Sequence, residues 1–319
     1  MTTRVAVLDD YQGAAQSDPH WRDLPSGAEP VFFRDHLSDE AAVAERLEPF
    51  QVVVAMRERT PFGASILARL PNLRLLVTTG MRNRSIDLAA ARERGIVVSG
   101  TEGTSRRSTA ELAWGLILAV SRRIPAEERG VREGRWQTTV GTELAGKRLG
   151  LLGLGRIGTQ MAAIGKAFEM DVVAWSQNLT PEVAAAAGAT HVQKGELLET
   201  SDVVSIHLVL SDRTRGLIGA PELASMRPTA YLINTSRGPI VEEAALVDAL
   251  GRGVIAGAGL DVFDVEPLPL DHPLRRLPNA VVTPHLGYVT QETYADFFSG
   301  VVDAITQWLA GSPVRQLMP

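Results

Sequence analysis

Residues 147–162, KRLGLLGLGRIGTQMA, decide how the rest of this chain is read. Leu149, Leu151 and Leu152 form a short apolar strand pattern that runs into Gly153-Leu154-Gly155-Arg156-Ile157-Gly158. Helix formers follow, with Ile157, Met161 and Ile164 at helical spacing. In a strand–turn–helix setting the three glycines have separate jobs. Gly153 permits the tight turn, Gly155 lets the backbone approach a pyrophosphate, and Gly158 lets the helix pack closely on the strand. The unpaired N–H groups and positive end of the helix then face the phosphates. A G-x-G-x-x-G alone says little in a chain with 29 glycines. The strand before it and the helix after it make it a dinucleotide-binding turn.

Outward from this turn, strands alternate with helices in both directions. Downstream, strand patterns cover 171–175, 202–209, 230–235, 255–262 and 281–285, with helices at 181–187 and 242–250. The stretch 267–278 carries four prolines and reads as an irregular loop. Upstream, strands are expected at 4–8, 30–34, 51–56, 73–78 and 96–98, with helices at 40–47, 64–70 and 86–93. Such alternation implies parallel sheets with right-handed crossovers, an α/β fold. Between the halves, 108–120 is a helix apolar nearly all round, and 122–136 is a charged surface segment. A terminal helix over 290–310 keeps Tyr294, Phe297, Phe298, Val301, Ile305 and Trp308 at helical spacing.

With 319 residues, 45% of them hydrophobic, the chain has enough apolar material for two medium cores. The net charge of −5 argues against a nucleic-acid partner. The absence of cysteine excludes disulfides, thiolate metal sites and cysteine nucleophiles, and no metal site is expected. The chain opens on a strand pattern rather than a signal-peptide apolar region, and its longest apolar run, 112–120, is too short to span a bilayer. The expectation is a soluble, cytoplasmic protein without a membrane partner.

Three polar residues follow strands beyond the glycine turn. Arg237 lies in Asn234-Thr235-Ser236-Arg237-Gly238, at a strand's carboxyl end, where open α/β sheets bind ligands. Its planar fork can hold a carboxylate bidentately. Glu266 follows the next strand and His285, in Thr283-Pro284-His285-Leu286-Gly287, the one after. A carboxylate beside an imidazole orients it and favours its protonated form, which suits acid/base work.

Together these stretches resemble the D-isomer-specific 2-hydroxyacid dehydrogenase family over nearly the whole chain. The resemblance is carried by Gly80, 108–111 (STAE), 144–147 (LAGK), 153–158, 234–238, 257–267 and 283–287. It implies two Rossmann-like domains with a cleft between them. One is a flavodoxin-like substrate-binding domain of residues 1–100 and 290–319; the other is a doubly wound dinucleotide-binding domain of residues 101–289. It also implies a homodimer that uses the 108–120 region, and NAD or NADP as cofactor. By the resemblance, Arg237 binds the carboxylate and carbonyl of a small 2-keto or 2-hydroxy acid, His285 is the acid/base and Glu266 its partner. The cofactor would be held by Thr109, Gly153, Gly155, Arg156, Ile157, Gly158, Ser176, Gln177, Asn178, Leu208, Thr214, Thr235, Ser236, Asp261 and Gly287. Arg57 and the Gly80-Met81 backbone would hold the substrate from the other domain.

Two departures bear on specificity. Where many members carry an acidic residue after the second strand, this chain reads Trp175-Ser176-Gln177-Asn178. The segment Met81-Arg82-Asn83-Arg84, with Arg57 and Arg59, is more basic than the small residues often found there, and favours a substrate with a second anionic group. A dinucleotide-sensing corepressor and a formate- or phosphite-type dehydrogenase on the same fold are the alternatives.

Overall fold

The computed structural model describes residues 2–103 and 107–319, which divide into two compact units, Met1–Ser105 with Thr290–Pro319, and Arg106–Val289. The first unit runs β1 (Thr3–Val7), α1 (Ala14–Ser17), β2 (Ala28–Phe32), α2 (Glu40–Leu47), β3 (Val52–Ala55), α3 (Ala64–Ala68), β4 (Leu75–Thr78), α4 (Leu88–Glu93) and β5 (Val97–Gly100). Its strands pair in parallel in the order β2-β1-β3-β4-β5, that of a flavodoxin-like sheet. The central strands VVVA and LLVT are buried at every position, because a parallel sheet is covered on both faces. Strand order reverses at β1 and β3, so the segments after these two strands flank this unit's crevice.

The second unit runs α5 (Ser108–Ser121), α6 (Ile124–Arg132), β6 (Arg148–Leu152), α7 (Arg156–Ala167), β7 (Asp171–Trp175), α8 (Pro181–Ala186), β8 (Thr190–His191), α9 (Lys194–Thr200), β9 (Val203–Ile206), α10 (Ala220–Ser225), β10 (Tyr231–Asn234), α11 (Glu243–Arg252), β11 (Gly257–Leu260) and β12 (Ala280–Val282). Its parallel sheet has the order β12-β11-β10-β9-β6-β7-β8, a doubly wound sheet with its switch point between β6 and β9. One face carries a core built on Leu152, Val204, Ile206, Leu232 and Leu246; the other packs Trp114, Leu116, Ile117, Leu149 and Met161. Helix α12 (Gln291–Leu309) belongs to the first unit, where Phe297, Phe298, Val301 and Ile305 are buried and the helix packs on β4 and β5.

Several elements differ from the sequence reading. Strand β2 lies two residues earlier than 30–34 and places Pro30 opposite Val5; as an edge strand it tolerates a residue that cannot donate. The charged segment 122–136 contains helix α6, with Pro125 in its first turn and only Gly130 buried. Strand β9 ends at Ile206 rather than at 209. Elements β8, α9 and α10 are too short to impose a period on the sequence. Among the described residues no helix is long and apolar enough to cross a membrane, and no group of three His, Cys, Asp or Glu could hold a metal.

Candidate active site

The glycine turn lies at the switch point of the second unit. Gly153 has φ 100°, and a Cβ there would meet the His207 carbonyl oxygen at 2.6 Å. Its N–H donates to the Trp175 carbonyl at 2.8 Å, so the turn is tied to the end of β7 and packs closely on the segment after β9. A Cβ on Gly158 would lie 2.1 Å from the Gly153 oxygen, which only a bare helix can approach. Gly155 is different: it is the N-cap of α7, makes no side-chain cap, and a Cβ there would meet nothing within 4 Å. Two glycines therefore serve packing, and the third leaves the start of α7 open to an anion.

Around this cradle, Thr214 Oγ1 donates to the Val209 carbonyl at 2.8 Å and accepts from Ser211 N–H at 2.8 Å, which shapes the turn after β9. Ser236 Oγ donates to the Leu208 carbonyl and joins that turn to the one after β10. Thr235 Oγ1, beside Ser236, is buried with no hydrogen-bond partner among the described residues. An open helix start after β6 and an unpaired buried hydroxyl after β10, with the turn after β9 between them, fit a dinucleotide. Arg156 is exposed and Ile157 half-buried in the first turn of α7, and Ser176, Gln177 and Asn178 form a turn after β7 with Gln177 and Asn178 exposed.

The parallel neighbours β10, β11 and β12 bring Arg237, Glu266 and His285 to one end of the sheet. Asn234, buried at the end of β10, shapes the first loop: its Nδ2 donates to the Arg237 carbonyl and its Oδ1 accepts from Ser236 N–H, both at 3.0 Å. Half-buried Arg237 donates from Nη1 to the Ser236 carbonyl at 2.7 Å. Glu266 uses both oxygens: Oε1 accepts from Phe263 N–H at 2.9 Å, and Oε2 lies 2.7 Å from His285 Nδ1. A carboxylate only accepts, so Nδ1 carries the proton and Nε2 is the nitrogen that can exchange one with a substrate. His285 has φ 53°, an uncommon conformation for a side chain of this size.

Asp261, fully buried after β11, holds the His285 loop in that shape. It accepts from Thr283 Oγ1 at 2.6 Å, Leu286 N–H at 2.7 Å and Gly287 N–H at 2.8 Å. Burial pushes its carboxyl above the usual carboxylate range, opposed by the Thr283, Leu286 and Gly287 bonds and by the charge of His285. Thr109 Oγ1, at the start of α5, donates to the Gly287 carbonyl at 2.9 Å.

The first unit has its own cluster at the ends of β1, β3 and β4. Arg57, at φ 54°, donates from Nη1 to the Thr79 carbonyl at 2.9 Å, and its guanidinium covers Gly80. A Cβ on Gly80 would lie 1.7 Å from that nitrogen and push the flexible guanidinium aside, and the φ of 94° is what calls for glycine here. Gly80 N–H donates to Thr101 Oγ1 at 2.8 Å, and Met81 beside it is exposed. Arg59 donates to the Asp9 carbonyl at 2.6 Å and stacks on Tyr11, while Arg82 and Arg84 are exposed. The sequence reading assigned no part to Asn83, which donates to the Arg57 carbonyl at 2.7 Å, or to Thr101. A buried amide or hydroxyl far along the chain leaves no spacing signature.

Residues 114–287 match the model of the D-isomer specific 2-hydroxyacid dehydrogenase NAD binding domain. The chain belongs to the D-isomer specific 2-hydroxyacid dehydrogenase family. It is an oxidoreductase that transfers a hydride between a nicotinamide cofactor, NAD or NADP, and a 2-keto or 2-hydroxy acid. It is 44% identical to glyoxylate reductase of Aeropyrum pernix over 237 residues, which cover 72% of this chain and 71% of that one. It is 39% identical to D-3-phosphoglycerate dehydrogenase of Mycobacterium tuberculosis over 309 residues, 96% of this chain but 55% of that longer protein. A phosphoglycerate oxidoreductase structure from Vibrio cholerae superposes with a TM-score of 0.93 at 35% identity, covering 98% of this chain and 100% of that one. These similarities do not favour the corepressor or formate- and phosphite-type readings.

Proposed function

We propose that this 2-hydroxyacid dehydrogenase works as a keto-acid reductase in which protonated His285 gives its proton to the keto oxygen and becomes neutral, Glu266 stabilises the imidazolium before that transfer, and Arg237 binds the carboxylate and carbonyl. The bound nicotinamide supplies the hydride to the keto carbon. The observation that carries the reading is the 2.7 Å contact of Glu266 with His285 Nδ1, which presents Nε2 to substrate. As the oxygen gains charge, the Arg237 guanidinium stabilises it, and His285 delivers its proton from Nε2. Thr109, Asp261 and Gly287 shape the loop beside the nicotinamide. Gly153–Gly158, Leu208, Thr214, Thr235 and Ser236 take the pyrophosphate side, and Ser176–Asn178 the ribose.

The 1–100 and 290–319 portion is the substrate-binding domain in this reading, and 101–289 the dinucleotide-binding domain. The Gly80-Met81 backbone cradles the carboxylate through the Met81 N–H, while Gly80, whose N–H is bonded to Thr101 Oγ1, fixes the turn. Arg57, oriented by the Thr79 carbonyl and 3.7 Å from Glu58 Oε2, and Arg59, oriented by the Asp9 carbonyl, stand with Arg82 and Arg84 near these strand ends, and this surplus of arginine favours a keto acid with a second anionic group. The enzyme is a cytoplasmic homodimer with no nucleic-acid or membrane partner. Support for the dimer comes from Trp136 and Val140, 76% and 94% exposed in a segment that follows α6. The test is oxidation of NADH and NADPH with a panel that includes glyoxylate, hydroxypyruvate, phenylpyruvate and a phosphorylated keto acid, with mass measured by light scattering. Failure to turn over any 2-keto acid with either cofactor would refute the reading.

A further inference from the structure

The loop that carries Glu266 is held from behind by a second pair of side chains. Glu243, in the first turn of α11, accepts from Asp264 N–H at 3.2 Å through Oε2 and lies 2.9 Å from His272 Nε2 through Oε1. His272 Nδ1 accepts from Leu274 N–H at 3.3 Å, so Nδ1 bears no proton and Nε2–H is the donor to Glu243. One carboxylate thus grips the loop two residues before Glu266 and six residues after it. Glu266 lies between the two grips, and the Phe263 N–H just before the first donates to its Oε1. The peptide that joins Phe263 and Asp264 also rests on Gly238, next to Arg237. The ionisable groups around the grip are Glu243, His272, Asp264 and Arg215; burial and the nearby Glu243 push the Asp264 carboxyl up, with Arg215 and His272 opposing.

We infer that Glu243 and His272 form a clamp that positions Glu266 against His285, acting on turnover through Glu266 alone. The inference rests on the proposed acid/base role of the Glu266–His285 pair. Neither clamp residue is catalytic; both are positioning residues. Without the clamp, the segment between Asp264 and His272 is held by fewer anchors, and the carboxylate spends less time within hydrogen-bonding reach of Nδ1.

The experiment compares Glu243→Ala, Glu243→Gln, His272→Ala and Glu266→Gln, and the double variant Glu243→Ala/Glu266→Gln, in the full-length enzyme with its best keto acid. Glu243→Ala should lower kcat about tenfold, a fraction of the roughly hundredfold cost of an ångström of misplacement. The Kd for NADH should stay within about twofold, since the cofactor turn is untouched. Glu243→Gln keeps one acceptor oxygen and should recover part of the loss. The double variant should be no slower than Glu266→Gln, because the clamp has nothing left to position. Additive losses in the double variant, or an unchanged kcat in folded Glu243→Ala, overturn the clamp. If Glu243→Ala does not fold, Glu243→Gln and His272→Ala, each combined with Glu266→Gln, decide the question in the same way. An unchanged kcat in Glu266→Gln itself overturns the acid/base pair, an outcome distinct from failure of the clamp alone.

Discussion

Gly238→Ala should inactivate the enzyme by geometry alone. Its backbone lies outside the left-handed region, so alanine incurs no conformational penalty there. The added Cβ would lie 2.1 Å from the Phe263 carbonyl carbon, 2.3 Å from its oxygen and 2.6 Å from Asp264 N. All three are backbone atoms, and no rotamer change relieves them. An ordinary contact needs about 1.3 Å more than the shortest of these, so the Arg237 loop and the Glu266 loop must part by roughly that distance. Misplacement of reacting groups by about 1 Å costs on the order of 100-fold in rate, so kcat/KM should fall about 100-fold. Overpacking adds about 1–3 kcal/mol of destabilisation. Steady-state reduction of the best keto acid, with NADH affinity followed by fluorescence, makes the measurement. A folded variant within fivefold of wild-type kcat/KM would show that the two loops need not hold their spacing, and the steric argument would fall.

His285→Ala should lower turnover by about two to four orders of magnitude while cofactor affinity persists, the scale of a lost acid/base; near-normal turnover would remove His285 from the mechanism. At the ribose end, Ser176 brings no charge to repel a 2′-phosphate, and no Arg or Lys lies between Trp175 and Val192 to attract one. Both cofactors should therefore be accepted with less than about a hundredfold bias, and Ser176→Asp should shift kcat/KM toward NADH; rejection of NADPH by several thousandfold in the wild type would contradict this. His207, with Nε2 2.9 Å from Ser205 Oγ, is pushed down to about 4 by burial. Between its ordinary value and that one the unfolded chain binds a proton that the folded chain does not, so stability is lost as pH falls. From pH 7 to 5 the loss is roughly 2 kcal/mol, and His207→Gln should abolish that part of the pH dependence in urea midpoints; an equal loss in the variant would assign it elsewhere.

The two sheets were legible because their central strands are continuous apolar runs, and because the glycine turn announces where one of them begins. Arg237, Glu266 and His285 could be placed after three successive strands, and parallel neighbours then bring the last two within 2.7 Å although they lie 19 residues apart. What the sequence could not convey was how those loops are braced. Asp261 takes three donors from the His285 loop, Asn234 staples the Arg237 loop, and Glu243 grips the Glu266 loop from a helix that follows a different strand. The Asp261 and Glu243 braces depend on a distance across the fold rather than on a spacing along it, while Asn234 acts within its own turn. The shift in β2 and the absence of α9 and α10 from the sequence reading have a simpler cause: edge strands and helices of two turns are fixed by what they pack against.

The first unit is discontinuous in sequence, and this has a consequence for how the chain is made. Its sheet is encoded by residues 3–100, but the helix that covers β4 and β5, with Phe298 against Trp21, is translated only after the whole of the second unit. At about 5–20 residues per second, synthesis of the intervening Arg106–Val289 takes roughly 10–40 s. During that interval one face of the sheet is bare on the ribosome, while the unit that follows it has every strand it needs. The later-encoded unit is thus able to finish first, and the earlier one is the client that a nascent-chain chaperone would have to shelter.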